Sequence, residues 1–376
     1  MPKPKIDSNI TGLFIAEEAT PGVLPDPAVW YEKEPNTYSD LGGQLKTVTR
    51  NPINPSRQRQ KGGVVDLDAS GGFNQDLTMF GMLRDLQGFM YADWRQKKTT
   101  APLNAVATAI TSTNSGTKTY AAAAGLAGWK TGHLLSVSGF ALAANNGLKT
   151  VSADSSAAGV VVSEAIATEA SPPVGAKIET CGFQFPSADV QIVLNGDLVR
   201  LQSAATNLTT LGLIPGEWVY LGGDSATTSF GVSAGEARIG VITATYIEFD
   251  KTSWPATAEV GTGKTIQMFF GNFLQTEPLA ANIKHRTYQL QRQLGTDDDG
   301  VMSEYLPGSS ANELTINVPV GDKITCDMAY IAIDNQQRKG SVGVKPGTYV
   351  PKVGGDLIKG ATLGAGQREG QLRQQR

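Results

Sequence analysis

Between Thr287 and Leu294 the chain alternates with a period of two. Thr287, Gln289, Gln291 and Gln293 fall on one side, and Tyr288, Leu290, Arg292 and Leu294 on the other. No helix gathers such a run into one apolar stripe, but a strand turns it into one mostly apolar and one polar face. The pattern predicts a sheet that packs on one side and stays wet on the other. Residues 265–274, 313–318 and 323–333 alternate in the same way, so the second half of the chain reads as long antiparallel strands. Forty-three glycines and nineteen prolines in 376 residues add many turns and short elements, which argues against a helical bundle.

Other chemistry is thinly supplied. The formal charge is −3, so bulk electrostatics does not mark a nucleic-acid binder. Cys181 and Cys326 lie far apart, which excludes a disulfide framework or a four-cysteine zinc site. His133 and His285 are the only histidines, too few for a histidine-based metal centre, and no cofactor is expected. No stretch reaches the roughly 20 apolar residues a membrane span needs. Met1-Pro-Lys-Pro-Lys-Ile-Asp7 is basic without an apolar segment after it, so synthesis and folding are expected in a cytoplasm.

Read along its length, the chain opens with a Pro- and Gly-rich arm, 1–28, whose Leu13-Phe14-Ile15 patch could dock on a neighbour. Strands are predicted over 29–33, 45–49 and 64–67. Between the last two, residues 50–61 carry four basic residues and no acid, a solvated loop. Leu77, Phe80, Leu83, Leu86 and Met90 recur at spacings of three and four, which predicts a helix over 74–96 with Asn74 and Asp76 as caps. Gly81 and Gly88 weaken it, at about 1 kcal/mol each. Residues 99–262 are rich in Ala, Thr, Ser and Gly and hold a diverged repeat, about 124–170 and 210–254, read as two small β-modules. Trp129 and Trp218 fall at matching places in the two copies, which suggests that both are core. From 338 to 376, eight Lys or Arg face two acids, and the last ten or so residues should order only on binding.

Several spellings of known sites fail in context. Gly261-Thr-Gly-Lys-Thr265 resembles the end of a phosphate loop, but Ala258 stands where the first glycine belongs and a strand follows. Gly231-Val-Ser-Ala-Gly235 spells a nucleophile elbow without the strand-to-helix turn an elbow needs. A hydrolase using Ser233 would lose its activity on Ser233→Ala. Asp297-Asp-Asp-Gly300 reads as a hairpin tip, not a calcium loop. No catalytic or metal-binding constellation survives.

Taken in order, several stretches resemble the tail tube (major tail) proteins of long-tailed bacteriophages. They are Phe14-Ile-Ala-Glu-Glu-Ala-Thr-Pro-Gly-Val23, Asn51-Pro-Ile-Asn-Pro-Ser-Arg-Gln-Arg-Gln-Lys-Gly62, Val65-Asp-Leu-Asp-Ala-Ser-Gly-Gly-Phe-Asn-Gln-Asp-Leu77, residues 266–274, Thr287-Tyr-Gln-Leu-Gln-Arg-Gln-Leu-Gly295, Glu304-Tyr-Leu-Pro-Gly308 and Asn312-Glu-Leu-Thr-Ile-Asn-Val-Pro319. The resemblance implies a mainly β fold: a tail-tube β-sandwich flanked by one helix and split into 29–98 and 263–335. The β-modules of 99–262 are inserted between the halves and would decorate the outside, and 336–376 forms a basic Gly-rich extension. It implies a non-enzymatic structural protein of the virion tail, assembled in the host cytoplasm into stacked rings through which the genome passes. Polar strand faces would line the channel. Partners implied are other copies of the chain, tape-measure, tail-tip and tail-terminator proteins, and double-stranded DNA that slides without specific binding. Relatives with this layout often carry a second tube-like domain, absent after the region of Asp334. A single domain favours six copies per ring, with three possible. Phe14, Tyr38, Arg50, Arg57, Arg59, Lys61, Lys345 and Lys352 are the candidate contacts between subunits or rings. The alternative is a virion surface protein whose β-modules bind a receptor or carbohydrate.

Overall fold

The computed structural model describes residues 12–352 except 51–52, 54–59, 79–80, 104, 298–299 and 320. The chain forms two compact units, one from the residues up to Asp93 and from Leu274 onward, the other running from Trp94 to Phe273. The first unit begins with β1 (Gly12–Glu17), β2 (Val29–Lys33), β3 (Pro35–Arg50), β4 (Gln60–Asp76) and helix α1 (Leu83–Met90). The second unit holds β5 (Ile110–Asn114), β6 (Thr119–Ala122), β7 (His133–Ser138), β8 (Gly147–Ala153), β9 (Gly159–Val162) and β10 (Lys177–Gln184). It continues with β11 (Val190–Asn195), β12 (Leu198–Ser203), β13 (Trp218–Leu221), β14 (Gly235–Ile242), β15 (Tyr246–Thr252), β16 (Glu259–Val260) and β17 (Gln267–Phe269). The chain then returns to the first unit as β18 (Tyr288–Asp297), β19 (Gly300–Asn317), β20 (Thr325–Ala332), β21 (Gln336–Arg338) and β22 (Thr348–Val350).

The sheet of the first unit runs β22-β2-β1-β18-β19-β20-β4-β3. Its longest strand, β19, pairs β18 with its first half and β20 with its second. The two halves of the sheet pack around one core of Leu13, Ile15, Leu41, Phe73, Leu290, Leu306, Met328 and Tyr330, with Leu86 and Phe89 of α1 against it. Residues 12–17 are therefore no arm: β1 lies between β2 and β18, where burial of Leu13 and Ile15 offsets the entropy lost on ordering the segment.

The helix is shorter than its apolar spacing predicts. Residues up to Asp76 stay in β4, because Ala69 to Asp76 pair with β20 along their whole length. Asn74 and Asp76 are strand residues and cap nothing. Gly88 is required by close packing: a Cβ there would come within 2.6 Å of the Tyr288 ring, whose hydroxyl donates to the Arg84 carbonyl at 2.9 Å. On the same helix Asp85 is fully buried, ion-paired with Lys33 and accepting from the Tyr330 hydroxyl at 2.7 Å. Lys33 also donates to the Gly81 carbonyl at 2.9 Å.

The expected wet face of β18 is dry. Gln289 and Gln291 are buried beneath a second apolar cluster built on Trp30, Tyr305, Phe14 and Tyr349. Their amides are satisfied there: the Tyr349 hydroxyl donates to Gln291 and Lys345 Nζ to Gln289, at 2.9 and 2.7 Å. Residues of β1, β2, β19 and β22, with Lys345 just before β22, supply this cover, which is why the strand alone could not reveal it. β2 and β22 pair in parallel at its edge.

In the second unit two cores follow the two repeats. Strands β5-β6-β9-β8-β7-β10 form one layer sequence and β11-β12-β15-β14-β13-β17 repeats it, with β10 and β17 paired at the junction. Residues 265–274 thus close the second module, with Ile266, Met268 and Phe270 in its core, and only Gln267–Phe269 is strand. The true register of the repeat is set by glycines. Gly128 and Gly132 have φ of 110° and 93°, and Gly212 and Gly216 have 67° and 93°, the left-handed region that glycine enters freely. Aligning these pairs puts Trp129 opposite Leu213, both buried, and Trp218 opposite Leu134. Trp218 is 46% exposed, so its reading as core is corrected.

Candidate assembly surfaces

The wet face lies on β19-β20-β4-β3, opposite the core. On β20, Cys326, Met328 and Tyr330 point inward, so Asp327 and its alternate neighbours point out. Asp327 stands across from Asn74 on β4 and Thr315 on β19. Its carboxylate accepts from Asn74 Nδ2 at 2.7 Å and Asn317 Nδ2 at 2.8 Å. Asn36, at a bulge in β3, donates to Asn74 Oδ1 at 3.0 Å and Asp76 Oδ1 at 2.7 Å. Asn317, Asp327, Asn74 and Asn36 thus form a polar ladder across four strands. Burial raises the Asp76 carboxyl, but hydrogen bonds from Lys323 and Asn36 and the Lys323 charge outweigh it and hold it below the usual range. Farther along, Lys46 lies 3.6 and 3.5 Å from Asp66 and Asp68.

Beyond this face β3 and β4 continue as an antiparallel pair to Arg50 and Gln60, clear of the core. Leu45, Val48, Val64 and Val65 there are each more than half exposed. β3 also ends the sheet order, leaving one side of a sixteen-residue strand without a partner strand among the described residues.

The predicted contact residues divide by environment. Arg50 and Lys61 are exposed on the β3–β4 pair, while Arg57 and Arg59 lie outside the described residues. Phe14 packs edge-on against Tyr349, with ring centroids 5.2 Å apart, and Tyr38 packs against the core. Lys345 turns inward over the Tyr305 ring at 4.5 Å, and burial lowers its pKa. Lys352 pairs with Glu34 at the surface. Sequence reasoning missed the Asn–Asp ladder; its signal is Asn and Asp on the same side of three strands, at Asn74, Asn317 and Asp327.

The motifs with catalytic spelling are structural. Ser233 is buried and donates to the Thr257 carbonyl at 3.3 Å. Glu259 accepts from the backbone N–H groups of Gly231, Val232 and Ser233, and these bonds outweigh burial in lowering its pKa. Lys264 of the phosphate-loop spelling donates to the Ser229 carbonyl at 3.0 Å, and the chain enters β17. β18 and β19 pair out to Asp297 and Gly300, as a hairpin requires. Among the described residues no group of three or more His, Cys, Asp or Glu is placed to hold a metal, and no helix is long and apolar enough to cross a membrane.

A family model described as phage tail tube protein matches residues 8–213, more than half of the chain. No curated protein matches it. With its mainly β fold, the chain belongs to the phage tail tube protein family and has a structural role in the virion tail.

Proposed function

We propose that copies of this chain close into rings, six per ring in preference to three, and that the rings stack into a hollow tube through which the phage genome reaches the host. The single observation that carries this reading is the β3–β4 pair: an open strand edge bearing exposed Leu45, Val48, Val64 and Val65. Such an edge is an aggregation hazard in a monomer, and a closed ring of copies pairs every edge. The polar ladder through Asp327 is the face suited to the lumen, because acids and amides neutralise no phosphate and leave DNA free to slide. Arg50 and Lys61 are the exposed cations suited to contact between copies. Assembly in the host cytoplasm, docking to tape-measure, tail-tip and tail-terminator proteins, and the absence of catalysis belong to the same reading.

Sedimentation velocity over a concentration series tests it. The wild-type chain should form large, concentration-dependent species, and the variant carrying Leu45→Asp and Val65→Asp should stay monomeric with an unchanged circular-dichroism spectrum. A variant that assembles like the wild type would overturn the role given to β3–β4.

A further inference from the structure

We propose that the outward face of β12-β15-β14-β13 binds a neutral hexose polysaccharide. The starting point is Trp218. Its neighbours Val219 and Leu221 enter the module core, yet the indole is 46% exposed, and the first module fills the matching position with a buried leucine. The fold therefore does not demand an indole there.

Its company indicates a use. Across the strand pair stands Arg238, which grips Asp250 with Nε and Nη2, both at 2.9 Å. The Lys251 ammonium lies 5.9 Å from the indole centroid. The same combination recurs on the neighbouring strands, where the Arg200 guanidinium lies 4.3 Å over the Tyr246 ring and donates to Glu248 at 2.6 Å. One sheet face thus carries two sets of an aromatic ring, an arginine and a carboxylate.

A hexopyranose has an apolar C–H face and a rim of hydroxyls. The exposed Trp218 indole can bury the first, while the carboxylates accept from hydroxyls and the guanidiniums donate to them. Each arginine is matched by its acid, so an anionic sugar gains little from either set. The face runs across four neighbouring strands, which suits successive units of a polymer better than an enclosed monosaccharide. Three of its four strands, β13, β14 and β15, lie beyond residue 213, where the family match ends, and the inference does not depend on ring assembly.

Affinity electrophoresis of the full chain in native gels containing dextran, laminarin or galactomannan, with hyaluronate as the anionic control, tests the proposal. The wild-type chain should be retarded by at least one of the three neutral polymers. Trp218→Ala should weaken that retardation at least tenfold, Tyr246→Ala severalfold, and Trp218→Phe should retain most of it. Circular dichroism and melting temperature would show each variant folded. No retardation by any neutral polymer overturns the proposal, as does retardation by hyaluronate alone or retardation that Trp218→Ala and Tyr246→Ala both leave unchanged. A change confined to self-association on Trp218→Ala would assign the face to a second copy instead.

Discussion

Arg95 and Phe273, at opposite ends of the second unit, exchange both backbone hydrogen bonds, at 2.8 and 3.2 Å. The chain therefore leaves for this unit and returns from it at one place, the geometry that lets a domain be inserted into a loop. Deleting 94–273 and joining Asp93 to Leu274 through a short Gly-Ser linker should leave a folded first unit. The check is cooperative urea unfolding followed by circular dichroism. A chain that shows no cooperative transition would contradict the separateness of the two units.

The pair Lys33–Asp85 is the most consequential buried charge contact of the first unit. Lys33→Met or Asp85→Leu alone should destabilise by about 3–5 kcal/mol, because either leaves one buried charge uncompensated. The double variant should lie closer to wild type than either single one. A double-mutant cycle by urea denaturation reads the coupling, and additive losses would contradict it.

The indoles separate the two roles that the repeat invites one to merge. Trp129 is fully buried and its Nε1 donates to Thr180 Oγ1 at 2.8 Å, so Trp129→Ala should cost about 3–5 kcal/mol. Trp218→Ala should stay within about 1 kcal/mol, as expected for an exposed site. Thermal melts of both variants decide this, and equal losses would refute the register set by the glycines.

Much of the first unit was legible because strand alternation is a local property. β2 falls on 29–33 as read, and the long strands β18 to β20 follow from their period of two. The failures share a cause, a partner distant in sequence. The spacing of Leu77, Leu83 and Leu86 is helical, but pairing of Ala69 to Asp76 with β20 keeps the first three residues of the predicted span, Asn74 to Asp76, extended. Gln289 and Gln291 look wet until Lys345 and Tyr349 arrive from the C-terminal side. Residue type matches Trp218 with Trp129, whereas backbone conformation at Gly128, Gly132, Gly212 and Gly216 sets the alignment. The open edge and exposed valines of β3–β4 follow from sheet order, which no single strand reveals.

His133 occupies the first-module position that Glu217 holds in the second, one residue after the matched glycine. It is buried, and its Nδ1 accepts from the Lys130 N–H at 2.7 Å. Burial lowers its pKa below the usual value of about 6.5 despite the opposing charge of Asp154. The unfolded chain then takes up the proton first, so His133 destabilises the fold as the pH falls from about 6.5 through the lowered folded value, and contributes no slope well above that range. Melting temperatures between pH 7.5 and 5 should fall less steeply for His133→Asn, which keeps an acceptor. Identical slopes would contradict the prediction.

Burial pushes the Cys181 thiol up to about 12 and the Cys326 thiol up to about 11. Both are buried, Cys326 within the apolar core of the first unit, and so should behave as small hydrophobes without thiolate reactivity. Ellman's reagent at pH 8 should find no reactive thiol in the native protein and two in urea. Rapid native labelling of either cysteine would contradict the packing described.

A tail tube built from copies of this chain should form from the purified protein by itself. Negative-stain electron microscopy of the purified protein, concentrated and left to stand, addresses it most directly. Rings or stacked tubes with a central hole, and class averages with sixfold symmetry, are expected. A compact monomer that forms no rings, even alongside tape-measure and tail-tip proteins, would contradict it.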